Sequence, residues 1–99
     1  MTNKLKEDKD VFHIFIEVYE RNLEYAMERK FPAWARVYVE ERRKEADRLY
    51  KEFQDKEHSR RKQLDYYRRA LDKIMVAHSI VERFLVYIAY GDDRGRGAG

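Results

Sequence analysis

The sequence predicts an all-α protein of three helices, about 8–30, 33–57 and 59–90, the second and third folded as a long, charged antiparallel hairpin. Three observations predict it. Between Met1 and Tyr90 the only backbone breaker is Pro32, since Gly91, Gly95, Gly97 and Gly99 all lie at the C-terminal end; a chain of short strands needs turns, and turns draw on Gly and Pro. Apolar residues recur at spacings of three and four in each segment, the period of one helix face. Acids precede bases by four residues in the middle of the chain, where Glu40–Lys44, Asp47–Lys51 and Glu52–Lys56 each add ~0.2–0.5 kcal/mol to an exposed helix.

The first segment carries Phe12, Ile16, Tyr19, Leu23 and Ala26 as one stripe. Asp8 or Asp10 offers a short carboxylate to its orphan N–H groups. Arg29 and Lys30 suit the negative end of the helix dipole. Phe31-Pro32 ends the run, because the residue before a proline is driven out of the α region, and Pro32 fits the first turn of the helix that follows.

The second segment has a narrow stripe of Ala35, Val39, Ala46, Leu49 and Phe53, with Arg42 in one register position. The third has the strongest periodicity in the chain. Leu64, Tyr67, Leu71, Ile74, His78, Val81, Leu85 and Ile88 alternate spacings of three and four, a heptad seam of the coiled-coil kind. From Ile74 to Tyr90 thirteen of seventeen residues are apolar, so this helix is greasy almost all round and needs cover on more than one side. Gly91 is its expected terminator. One unbroken helix from Ala33 to Tyr90 would be roughly 87 Å long. A fold near Glu57–Arg60, with Asp55 and Ser59 as caps, instead lets the apolar ends meet and leaves the charges at the tip. The competing reading is α+β, with strands near 11–19, 35–40 and 84–90, because Phe12, Ile14, Ile16 and Val18 also alternate as a strand would.

At 99 residues the chain makes one domain, 1–90, with a disordered tail at 91–99. Charged residues are 41% against a usual ~25%. Eight Tyr, five Phe and one Trp nevertheless supply a core that disordered chains lack. Asn and Gln occur twice each and Cys never, the bias of a heat-adapted protein that uses ion pairs in place of thermolabile residues. Without Cys there is no disulfide or thiolate chemistry. The uncharged runs Ile74–Val81 and Phe84–Gly91 are each too short to span a bilayer, and Met1–Asp10 has no apolar signal core, so a cytoplasmic protein is expected.

Candidate chemistry is sparse. His13, His58 and His78 are not at helical ligand spacing from one another, and no H-E-x-x-H occurs. His78 takes an apolar seam position, which suits a hydrogen-bonded core histidine better than a metal ligand. The carboxylates lie in charged runs, not in the apolar pocket that would separate their pKa values. Ser59 and Ser79 sit in no nucleophile elbow, and no glycine loop is present to cradle phosphate. No catalytic residue, metal, cofactor or small-molecule substrate is therefore expected.

Two surfaces remain. Met75, Val76, Ile80, Val86 and Tyr87 exceed what one seam can cover, and large leftover apolar area marks a partner interface, here that of a homo-oligomer. Arg60, Arg61, Lys62, Arg68 and Arg69 are the candidate nucleic-acid contacts, with Tyr66 and Tyr67 beside them to stack on bases. The net charge of +3 permits that role without demanding it, and the interleaved acids argue for an ion-paired surface instead. A non-catalytic helical interaction module, homodimeric, is the leading expectation; a nucleic-acid accessory protein with an arginine-rich hairpin is the alternative.

The excess of Glu, Lys, Arg and Tyr over Asn, Gln, Gly and Cys, with Ile/Val/Tyr-rich runs at Val11–Tyr19 and Ile80–Tyr90, resembles the small orphan proteins of filamentous viruses of hyperthermophilic archaea. The resemblance is one of composition and length over the whole chain. It implies a virion or host-takeover factor that acts through partners, and it carries over no functional residue.

Overall fold

The computed structural model describes residues 10–91 in full and the backbone of 92–98. Three helices are present, α1 (Val11–Met27), α2 (Ala33–Gln54) and α3 (Arg60–Ala98), with no strand among the described residues. The three segments offered as strands are helical throughout. In the first, burying Phe12, Ile16 and Tyr19 together wins over the period-two alternation, and Ile14 is left on the surface. The chain runs up, down and up: α2 returns antiparallel to α3, and α1 lies parallel to α3 on its other flank. Asp10 at the start of α1 meets Tyr67, Asn22 meets His78, and Phe31 beyond its end meets Phe84.

Each helix boundary has a local cause. At α1, Asp10 is the N-cap, accepting from the Phe12 N–H at 3.1 Å. The helix stops at Met27, earlier than 30, because Lys30 turns left-handed at φ 65°. That turn lets the Phe31 N–H reach the Ala26 carbonyl and the Lys30 N–H the Met27 carbonyl, the paired bonds of a Schellman ending. Pro32 precedes the first turn of α2 and does not lie within it. Between α2 and α3 no Gly or Pro is needed. Asp55 becomes extended, its carboxylate accepts from the Glu57 N–H at 2.9 Å and its carbonyl from the His58 N–H. The Ser59 hydroxyl then accepts from the Lys62 N–H at 3.3 Å, so the turn spans 55–59, slightly before the expected fold.

The core is one cluster. Phe12, Ile16, Tyr19 and Ala26 of α1 and Val39, Ala46 and Leu49 of α2 match the expected stripes, with Leu23 packed half-buried beside them. The seam of α3 differs from its expectation. One track, Tyr67, Ile74 and Val81, is where the heptad spacing places it. The fully buried residues beside it are Ala70 and Ala77, which the seam did not include; Leu71 and Leu85 pack half-buried against the core, as does Phe84, and Leu64 is 52% exposed. The reason is that two helices cover α3, not one. The middle of its buried face falls between them, small alanines sit where the backbones approach, and Leu71, His78 and Leu85 are left on the flank of that face.

Asp10 ties the three helices together. Besides capping α1 it accepts from the Tyr50 hydroxyl of α2 at 2.7 Å and from the Tyr67 hydroxyl of α3. Burial pushes the Asp10 carboxyl up, but the Tyr67, Tyr50 and Phe12 donors outweigh it and hold the group below its ordinary value of 3.8. The same burial and hydrogen bonds raise Tyr50 and Tyr67. Around them Phe12 stacks on Tyr50 at 4.3 Å, and Phe53 contacts Tyr67 at 4.8 Å.

Ion pairs follow a different rule from the one expected. Glu40 pairs with Arg36 at 3.1 Å and Asp47 with Arg43 at 3.3 Å, in place of Lys44 and Lys51. Arg43 serves twice, because its guanidinium also holds Glu20 of α1. Lys73 of α3 reaches Glu45 of α2 at 3.3 Å. The bridges between helices are thus one Arg fork, from Arg43 to Glu20, and one Lys ammonium, from Lys73 to Glu45.

Candidate functional site

The register of the hairpin decides what α3 leaves uncovered. Glu45 opposite Lys73 and Phe53 opposite Tyr67 place Ala33, the start of α2, opposite about residue 86. Past that point α3 has outrun its partner. Of the five residues expected on an interface, four lie on its outward face or projecting end: Met75 is 46% exposed, Val76 43%, Val86 51% and Tyr87 71%. Ile80 does not join them. It packs half-buried against the core, because its position lies on the side of α3 that α2 covers. Tyr90, which sequence reasoning omitted, belongs with the outward set. Trp34, Val37 and Tyr38 at the start of α2 are exposed as well, so the apolar surface gathers at the end of the bundle away from the 55–59 turn.

The outward face has its own periodicity. Met75, Ser79, Glu82 and Val86 follow one another at four, three and four, opposite the buried line of Ile74, Ala77 and Val81. Glu82 and Arg83 are the only charges from Ile74 to Tyr90, both are exposed, and neither makes an ion pair among the described residues. The two apolar runs flanking them join into one stretch. An 18-residue window of Arg60–Gly91 has a mean hydropathy of 1.3, so α3 is long and apolar enough by length and composition to cross a membrane. The expectation that no stretch could do so treated two charges as a break, which they are not on average. The fold takes Ile74, Ala77 and Val81 of that window for its core. At the centre of a spanning helix Arg83 alone would cost about 2.5–3.5 kcal/mol.

The arginine pairs divide. Arg42 and Arg43 are structural: Arg42 lies over the Tyr38 ring at 4.4 Å and pairs with Glu45 at 3.3 Å, and Arg43 bridges α1 and α2. Arg69 pairs with Asp65 at 3.7 Å. Arg60, Arg61, Lys62 and Arg68 are exposed and make no ion pair among the described residues. The bases-stacking role expected of Tyr67 is excluded by its packing on Phe53 and its bond to Asp10. Tyr66 sits half-buried between His58 and Arg69. Gly91 lies inside α3, not after it, with open space where a Cβ would stand. Beyond that glycine the expected disordered tail, 91–99, falls outside the fully described residues.

The histidines also divide. The His78 ring is half-buried and its Nε2 accepts from the Asn22 amide at 3.2 Å, the hydrogen-bonded core histidine of the sequence reading. His58 is different. Its Nε2 lies 2.8 Å from Glu52 and 3.9 Å from Asp55, and the three ligand atoms fall within 4.8 Å of one another. One imidazole and two carboxylates could hold a divalent ion. The grouping also explains itself as the hydrogen-bonded end of α2, and Asp55 is already engaged in the turn. Sequence reasoning missed it by comparing histidines only with one another. The spacing Glu52-x-x-Asp55-x-x-His58 was the signal.

Buried Tyr19 is the one tyrosine of the α1–α2 interface whose hydroxyl finds no partner among the described residues, and burial with Glu40 nearby pushes it up to about 12. A cleft of about 340 Å³ opens there, lined by Tyr19, Glu20, Leu23, Glu40 and Arg43 among others. Its floor of ion-paired charge gathers no nucleophile beside a base. No family model, curated protein or solved structure matches the chain.

Proposed function

We propose that the protein is a non-catalytic helical interaction module that works as a homodimer through the outward face of α3. The observation that carries the reading is the exposure of Met75, Val76, Val86 and Tyr87 on a helix whose other face is fully used by α1 and α2. Large apolar side chains exposed along one face of an otherwise heavily charged chain seek cover, and a second copy offers a matching face. Light scattering at micromolar concentration is expected to give twice the mass of the chain, and Val86→Asp to give the single mass with unchanged helical circular dichroism. A single mass for the unaltered protein removes the reading.

A second reading rests on the charged tip. Arg60, Arg61, Lys62 and Arg68 face solvent with no acidic partner among the described residues, unlike Arg42 and Arg43. Such a set can contact phosphates of a nucleic-acid backbone, with binding that weakens as salt rises. Binding to duplex DNA at low salt, with a shallower salt dependence in Arg61→Ala/Arg68→Ala, is expected on this reading. No binding at low salt ends it.

A further inference from the structure

Resting on the homodimer reading above, we infer that the two copies pack α3 against α3 antiparallel, crossing between Glu82 and Arg83 so that each of these residues faces the other on the partner copy. The charges decide the direction. They are the only two in the stretch Ile74–Tyr90, they are adjacent and opposite in sign, they stand in the middle of the apolar face, and neither has a partner within its own chain among the described residues. A parallel pair of helices would set Glu82 against Glu82 and Arg83 against Arg83, placing like charges at the centre of the contact. An antiparallel pair with its two-fold axis between them sets Glu82 against Arg83 twice. An isologous interface requires this reciprocity: whatever one copy offers, it must also receive.

The packing around that axis agrees. Counting outward from it, small Ser79 falls opposite Val86, and Met75 falls opposite Tyr90. The projecting end of α3, which has passed the start of α2, then lies over the exposed Met75–Val76 of the partner. The overlap covers the face from Met75 to Tyr90 and, unlike a parallel pair in register, sets no like charges together at its centre.

The chain has no cysteine, so introduced thiols report alone. Under mild oxidation Met75→Cys mixed with Tyr90→Cys is expected to give a mixed disulfide dimer, while each variant by itself gives little. Glu82→Arg is expected to weaken the dimer about tenfold in Kd, as two charge pairs turn repulsive, and the double exchange Glu82→Arg/Arg83→Glu to restore it. Sedimentation equilibrium reads both. A protein that is dimeric but forms a disulfide with Met75→Cys alone, or ignores the single reversal, overturns the antiparallel register and leaves the dimer standing. A monomeric unaltered protein overturns both.

Discussion

Single residues hold this bundle at places where a helix ends. Lys30 is the one non-glycine residue with positive φ among those described, and its left-handed turn completes the Schellman ending of α1. A lysine Cβ in that conformation costs about 1 kcal/mol that glycine does not, partly offset by the greater freedom of glycine in the unfolded chain. Lys30→Gly is therefore expected to raise stability by roughly 0.5–1 kcal/mol, read as a higher urea midpoint at constant slope. A lower midpoint would mean that the lysine side chain contributes more than its backbone costs. Asp10 acts in the opposite sense, as a group the fold cannot spare. Its carboxyl is depressed in the folded state, so it binds a proton less readily there than in the unfolded chain. The stability it confers is present in full above the ordinary value of 3.8 and is lost as pH falls through that value toward the depressed one. Asp10→Asn keeps the shape but replaces a charged acceptor of three donors by a weaker one, and a cost of about 1–3 kcal/mol at neutral pH follows. That variant should also lose part of the acid limb of the stability–pH profile, so the two curves converge as pH drops. Parallel curves would show that Asp10 contributes packing and no charge.

Whole helices show where the amino-acid pattern suffices and where it does not. The stripes of α1 and α2 were legible residue by residue, because each helix buries one face and a face of period 3.6 is written directly in the spacing of Phe12, Ile16 and Tyr19 or of Val39, Ala46 and Leu49. The hairpin was legible too, from the charged tip and the apolar ends. The seam of α3 was only half legible. A heptad count weighs large residues: it included Leu64, which is exposed, and passed over Ala70 and Ala77, which are fully buried, while Leu71 and Leu85 do pack half-buried against the core. Burial at a three-helix contact depends on how closely backbones approach, which favours small residues, and that is a property of the partners more than of the helix itself. The contrast can be measured. Ile74→Asp places a carboxylate without a partner where nothing is exposed, and unfolding of the chain is expected. Leu64→Asp, at a seam position the fold does not use, should stay within about 0.5 kcal/mol of the unaltered protein. Equal damage at the two positions would restore the seam to the line that spacing alone suggests. The helix termini were legible least, since the turn at 55–59 is built by side chains imitating backbone, Asp55 and Ser59, with no glycine to announce it.

At the scale of the whole molecule the candidate surface was legible as a surplus and not as a shape. The count of apolar residues in Ile74–Tyr90 indicated too many for one core, but assigning them needed the position of α2, which covers Ile80 and stops short of Tyr87. Likewise the arginine pairs looked alike until Arg42 was held by Glu45 and Tyr38 within α2 and Arg43 was drawn across to α1, while Arg61 and Arg68 make no ion pair among the described residues. The consequence for stability follows from mass action. A folded chain that associates while its unfolded form does not is stabilised by its own concentration, by about 2.7 kcal/mol when the concentration is a hundredfold above Kd. For a domain of this size each kcal/mol moves the melting temperature by roughly 4–8 °C. Melting followed by circular dichroism should then rise by on the order of ten degrees between dilute and concentrated protein. Val86→Asp should melt at the dilute value at every concentration, since Val86 lies outside the core cluster and its loss removes the partner without removing a core contact. If the unaltered protein melts at one temperature across that range, the outward face of α3 is not closed by a second copy. If Val86→Asp melts well below the dilute limit, the residue supports the single chain, and its exposure has been misread as availability.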